Sequence, residues 1–175
     1  LDDLKGVEVR ASGTDTKGYT ALGAIPTAIA MPDSYDALSR GVVQAISAPP
    51  EVLDTWNLRE VTSYVTLTSF GCNATHYINM NWDTWNSLPE DVQQGIEKAS
   101  DEIFETLACD VFDKYNEIAL DLAIEETGHE IIELSAEEHA KWVEILQPVI
   151  DDYAKELDEQ GLPGEKIMDK VRELS

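Results

Sequence analysis

Between Pro89 and Glu126 the sequence holds no helix-stopping residue, only a tolerable Gly95. Apolar residues recur at Val92, Ile96, Ala99, Ile103, Leu107, Val111, Tyr115, Ile118 and Leu122, one continuous stripe of helical period. A helix of this length would run roughly 57 Å at 1.5 Å per residue. A compact domain of this size has a radius of gyration of only about 16 Å. Such a helix overshoots one domain, so it is either broken or spans two lobes. The sequence predicts one helix over residues 89–127 whose stripe packs on more than one sheet.

The first third of the chain reads as βαβαβ. Strands are expected over residues 6–11 ("GVEVRA"), 25–31 ("IPTAIAM") and 42–47 ("VVQAIS"). Helices are expected over 16–24, and over 32–41 with Pro32 in the first turn and Gly41 at the end. Connections this short imply a parallel sheet, which Pro49 and Pro50 terminate. A helix is then expected over 52–61. Strands rich in Thr, Tyr, Val and Ile follow over 62–70 and 75–81, separated by "GCNA". Ser87 and Glu90 have capping-box spacing ahead of the long helix, with Pro89 in its first turn. After Gly128, residues 129–135 read as a strand. Two further helices close the chain, the first carrying Pro148 near its middle. The fold class is α/β, a parallel-rich sheet flanked by helices.

Charge narrows the function. The chain carries 35 acidic and 12 basic residues, a formal net charge of −23, and residues 101–175 hold −16 of it. Phosphate backbones and anionic membrane surfaces repel such a chain, so nucleic acid is not an expected partner. No run of about 18 apolar residues predicts a membrane span. Cys72 and Cys109 lack zinc-finger spacing and read as buried thiols, or as a disulfide if the protein is exported. There is no GxSxG, HExxH, Walker or EF-hand pattern, and His76, His129 and His139 show no metal-ligand spacing. Neither an enzyme nor a cofactor is expected.

Against this background one of the chain's four arginines stands out. Arg10 follows Val7 and Val9 at the end of the first strand and leads into the small, turn-forming residues Ala11, Ser12, Gly13 and Thr14. Ligands of open α/β sheets bind beyond the carboxyl ends of parallel strands. A guanidinium there offers a planar fork that matches a carboxylate. Pairing with one of the chain's own carboxylates is the competing explanation. A hydrolase or lyase would need a base beside Arg10, and the nearby Asp15 and Asp33 read as helix-start residues.

Four stretches, "DLKGVEVRASG", "LGAIPTAIAMPDSYDALSRGVVQ", "APPEVLDTWNLREVTSYVTLT" and "MNWDTWNSLPEDVQQGI", run in order through the first 96 residues. Together they resemble the periplasmic solute receptors of tripartite ATP-independent periplasmic (TRAP) transporters, the dicarboxylate-receptor family. The resemblance implies a periplasmic-binding-protein-like, two-lobed fold of which this chain is the C-terminal portion. Residues 1–65 then form a second-lobe βαβαβ unit and the following helix. Residues 66–88 form a hinge and returning strand, and 89–175 a long spanning helix, a strand and C-terminal helices. In the family's G-x-x-x-R strand, here Gly6 and Arg10, the arginine holds the ligand carboxylate. Met31, Ala48, Phe70 and Asn73 fall on pocket-lining positions. Ala48 replaces what is often a polar contact, which points to a different or more apolar ligand. The implied partners are a small organic acid and the TRAP membrane permease subunits, in the periplasm, for a precursor that begins with a signal peptide. The missing N-terminal portion, or self-association, is expected to cover exposed faces. A sensing or interaction module of the same fold without a transport role is the alternative.

Overall fold

The computed structural model describes residues 1–68, 70, 77–104 and 109–174, without the side chains of Cys109 and Leu174. Three short strands open the chain: β1 (Glu8–Arg10), β2 (Ile25–Thr27) and β3 (Ala45–Ile46). They form a parallel sheet in the order β2-β1-β3, with Arg10 level with Thr27 on one side and Ile46 on the other. Pro26 is tolerated because β2 is an edge strand. Helix α1 (Asp15–Ala21) joins β1 to β2. A 3-10 turn (Met31–Asp33) leads into α2 (Ser34–Ser39), which joins β2 to β3. Gly41 follows at φ 69°, the left-handed geometry that ends a helix on glycine. The expected βαβαβ unit is present, with each strand shorter than its apolar run.

The helix expected over 52–61 is interrupted. α3 covers Val52–Thr55, Asn57 turns into the left-handed region at φ 53°, and a 3-10 turn covers Leu58–Glu60. Asn tolerates that conformation through local hydrogen bonding. The strand expected over 62–70 is β4 (Tyr64–Leu67), and that over 129–135 is β5 (Glu130–Glu133). They pair with each other in parallel, Tyr64 level with Glu130. The strand expected over 75–81 is not formed across 77–81, where Tyr77 and Ile78 are exposed; residues 75 and 76 lie outside the described residues.

The capping box expected at Ser87 is replaced by two helices. α4 (Trp82–Ser87) is capped by Asn81, whose Oδ1 accepts from the Asp83 and Thr84 amides at 2.8 and 3.2 Å. It stops because Pro89 forces Leu88 into extended geometry, ψ 144°. Ser87 therefore ends α4, with its hydroxyl on the Thr84 carbonyl at 2.7 Å. α5 (Glu90–Ile103) and α6 (Cys109–Thr127) carry the long stripe. Whether they are continuous depends on residues 105–108, which lie outside the described residues. Most of the described stripe lies at the surface. Val92, Ile103, Val111, Tyr115 and Ile118 are exposed, and α6 instead packs on α3 through a face that buries Ala119 and Ala123. Asn116 on that face accepts the Glu51 amide at 3.0 Å.

The chain closes with α7 (Ala136–Glu159) and α8 (Gly164–Leu174). α7 begins at Ser135, which caps the Glu138 amide at 3.2 Å, and carries Pro148 within it. By contacts, residues Leu1–Ala48, Tyr64–Cys72 and Glu130–Ser175 form one compact unit, and Pro49–Ser63 with Asn73–His129 a second. In the first, Val9, Ala11, Tyr19 and Ala24 form one core, and Leu22, Trp142 and Leu146 join α1 to α7 in another. In the second, Leu58, Ala119 and Ala123 are fully or nearly fully buried. His129 is buried there, with its ring nitrogens 2.8 Å from the Thr127 hydroxyl and 3.0 Å from that of Thr62. It serves as a satisfied structural histidine.

The turn from α7 to α8 leaves no room for a side chain. A Cβ at Gly164 would overlap the carbonyl oxygen of buried Ala154, and backbone stands on both sides of that contact. Gly164→Ala is therefore expected to cost about 1–3 kcal/mol. That corresponds to a fall of about 2–12 °C in midpoint for a chain of this length, at about 2–4 °C per kcal/mol. An unchanged thermal midpoint would contradict the packing described.

Candidate functional site

The carboxyl ends of β1, β2 and β3 bring Arg10, Met31 and Ala48 to one edge of the sheet. Strand order 2-1-3 means that the chain leaves β1 toward one side and later returns to the other. The strand order reverses at this point, and sheets of this kind take ligands beyond the carboxyl ends of the strands there. Arg10 is the last residue of the middle strand. Its neighbours Val9 and Ala11 are 2% and 0% exposed and belong to the core beside α1. Alternation along the strand therefore sends Arg10 to the opposite face.

There Arg10 is half-buried, and its Nε donates to the Ile29 carbonyl at 2.9 Å. That bond fixes the side chain against the segment that leads to Met31. Arg40, Arg59 and Arg172 all pair with carboxylates, Arg59 with both Asp54 at 2.6 Å and Glu126 at 3.3 Å. Arg10 pairs with none among the described residues. In a chain with 35 acidic side chains this leaves the outer guanidinium donors available for an anion from outside.

Met31 is half-buried at the start of its 3-10 turn, with its sulfur 3.9 Å from the hydroxyl of fully buried Ser34. Ala48 is half-buried two residues beyond β3. Phe70 lies on the α1 side of this unit. Its ring packs on Tyr19 with centroids 5.3 Å apart and planes at 59°, and touches both cores. A Cβ at Gly18 would overlap that ring. Gly18→Ala should displace Phe70 and destabilise the unit by about 1–3 kcal/mol. Chemical denaturation would read this, and a midpoint equal to wild type would contradict it. Asn73, the remaining expected lining residue, lies outside the described residues, as does the Cys72 partner of the possible disulfide.

Two residues beside these strand ends were not singled out as binding residues from the sequence. Ser47 is 8% exposed; its amide donates to the Arg10 carbonyl at 2.8 Å, and its hydroxyl donates to Asp15 Oδ2 at 3.3 Å. Asp15, read as a helix-start residue, does open α1, but Thr14 holds the N-cap position and makes no side-chain cap bond. The available signal was Ser47 itself, a hydroxyl at the end of an otherwise apolar strand. Among the described residues no group of His, Cys, Asp and Glu gathers to hold a metal. No described helix is long and apolar enough to cross a membrane.

Comparison with known proteins gives these observations a context. The chain is 32% identical over 167 residues to the C4-dicarboxylate-binding periplasmic protein DctP of Rhodobacter capsulatus, covering 94% of this chain and 50% of that protein. Its fold matches a TRAP periplasmic solute binding protein from Desulfovibrio salexigens with a TM-score of 0.78 and 30% identity, over 99% of this chain and 54% of that one. It also matches a marine metagenome TRAP solute binding protein specific for aromatic acid ligands, with a TM-score of 0.86 at 24% identity, over 99% of this chain and 55% of that one. The chain thus spans about half the length of the relatives it matches. The α/β, periplasmic-binding-protein-like fold class expected from the sequence holds. Residues 1–156 match the family described as bacterial extracellular solute-binding protein, family 7, and the chain belongs to that family of solute-binding proteins.

Proposed function

We propose that this chain forms the C-terminal half of a periplasmic TRAP receptor that binds a small organic acid, with Arg10 as the carboxylate anchor. The observation that carries the reading is the arginine at the carboxyl end of the middle strand. It is oriented by a backbone carbonyl, and it alone of the four arginines has no carboxylate partner among the described residues. A guanidinium in that place offers two parallel N–H donors to both oxygens of a carboxylate. Met31 and Ala48 supply apolar flanks, and Asn73 and Phe70 are the remaining lining residues of this reading. The relatives support the ligand class. One is named for binding C4-dicarboxylates, and others hold mandelate or beta-D-galacturonate. The receptor would deliver its ligand to TRAP membrane permease subunits and perform no chemistry on it.

The exposed apolar face of α5 and α6 and the outer edges of the β4–β5 pair are, in this reading, covered by the rest of the receptor. The test is a titration of the full-length chain carrying this sequence with benzoate and with benzamide. Binding of the acid but not of the amide is expected. Equal binding of the two would overturn a carboxylate-anchored receptor.

A further inference from the structure

We infer that Thr27 selects for a ligand hydroxyl beside the bound carboxylate, so that the preferred ligand is a 2-hydroxy acid with an apolar remainder. The inference rests on the receptor reading above and specifies its ligand. It starts from register. Arg10 stands level with Thr27 on β2 and with Ile46 on β3. Level residues of a pleated sheet point their side chains to the same face. Thr27, Arg10 and Ile46 thus form one row across the strand ends, on the face opposite Val9, Ala11 and Ala45. All three are half-buried.

The row is uneven, with a hydroxyl on the β2 side and hydrocarbon on the β3 side. A helical threonine spends its hydroxyl on the carbonyl one turn back, as Thr20 does on Thr16 at 2.7 Å and Thr127 on Ala123 at 2.8 Å. A strand offers no such carbonyl. The Thr27 carbonyl accepts the Ala11 amide at 3.2 Å, but its hydroxyl has no partner among the described residues. One donor and two acceptor sites therefore stay available beside the guanidinium. Arg10 leans to this side, since its Nε donates to the carbonyl of Ile29, two residues beyond Thr27. The outer Arg10 nitrogens take both oxygens of a carboxylate, so the Thr27 hydroxyl meets the substituent on the next carbon. A ligand hydroxyl there exchanges a hydrogen bond with it; a hydrogen atom leaves the half-buried group unpaired. On the other side Ser47 turns to Asp15 of α1, which leaves Ile46 and Ala48 on the Arg10 face. They offer only hydrocarbon, and the remainder of the acid lies against them.

The experiment titrates the full-length chain by calorimetry with two matched pairs, lactate beside propionate and mandelate beside phenylacetate. Both enantiomers of each hydroxy acid are used, and benzoate is the reference. Wild type is expected to bind the better enantiomer about threefold to tenfold more tightly than the acid lacking the hydroxyl, the contribution of one neutral hydrogen bond. Thr27→Val keeps the shape and removes the hydroxyl, so it should bring that ratio close to one. Thr27→Ser keeps the hydroxyl and should retain most of the ratio. Wild-type ratios near one in both pairs would overturn the inference, as would a ratio that Thr27→Val leaves unchanged, or binding of benzoate with neither pair bound. Each of these results leaves the receptor reading standing, because an acid still binds. Loss of all acid binding, benzoate included, would remove both.

Discussion

Arg10→Lys is expected to weaken organic-acid binding by the full-length chain by roughly tenfold to a hundredfold, and Arg10→Ala by more. Hydrogen bonds to charged groups contribute about 1.5–3 kcal/mol each, and the fork makes two of them at once. Lysine keeps the charge but presents a mobile point donor in place of a planar pair. It also loses the bond from Nε to the Ile29 carbonyl, which holds the side chain in place before any ligand arrives. The alanine variant should fold normally, because Arg10 makes no ion pair within the described residues and its neighbours Val9 and Ala11 supply the core contacts. Calorimetric titration beside a thermal melt separates the two effects. A melt shifted by many degrees with binding intact would make Arg10 a structural residue.

The second large effect concerns residues 1–175 produced alone. β4 and β5 pair only with each other among the described residues, and Tyr64 on β4 is 64% exposed. Parallel strands are ordinarily buried on both faces, and an isolated strand pair is marginal in water. Val92, Ile103, Phe104, Val111 and Tyr115 add an exposed apolar surface on α5 and α6. Such edges and patches associate. The isolated chain is therefore expected to scatter light as a dimer or larger species, and to bind acids far more weakly than the full-length chain. Co-expression with the remaining half of the receptor should restore both the single-copy mass and the affinity. A strictly monomeric 1–175 with full affinity would show that the unit needs no cover.

What could be read from the sequence was decided by whether the signal was local. β1, β2 and β3 were legible because apolar runs alternate with Pro32 and Gly41, which punctuate the chain without help from distant residues. α3 was over-read, since nothing in "DTWNLRE" announces that Asn57 takes the left-handed conformation. The stop at Ser87 was legible in principle, because Pro89 restricts Leu88, but the Ser87–Glu90 spacing suggested a cap instead. The pairing of β4 with β5 joins residues 64 and 130 and has no local signal at all. The stripe of α5 and α6 was real as a pattern, yet α6 buries Ala119 and Ala123 on a neighbouring face; which face is covered depends on what packs there, not on period.

The site divides in the same way. Arg10 was visible as a scarce cation at a strand end. That it has no carboxylate partner among the described residues was not visible, because it depends on where the acidic side chains lie. Ser47 and Asp15 meet across 32 positions of sequence, so only the fold reveals their contact.

A crystal structure of the full-length chain with its bound acid tests the central claim most directly. Both oxygens of the ligand carboxylate are predicted to lie within about 3 Å of the two outer Arg10 nitrogens, the usual range for charge-assisted bonds, while Nε keeps its bond to the Ile29 carbonyl. A ligand carboxylate bound elsewhere, with Arg10 turned onto a carboxylate of its own chain, would contradict it.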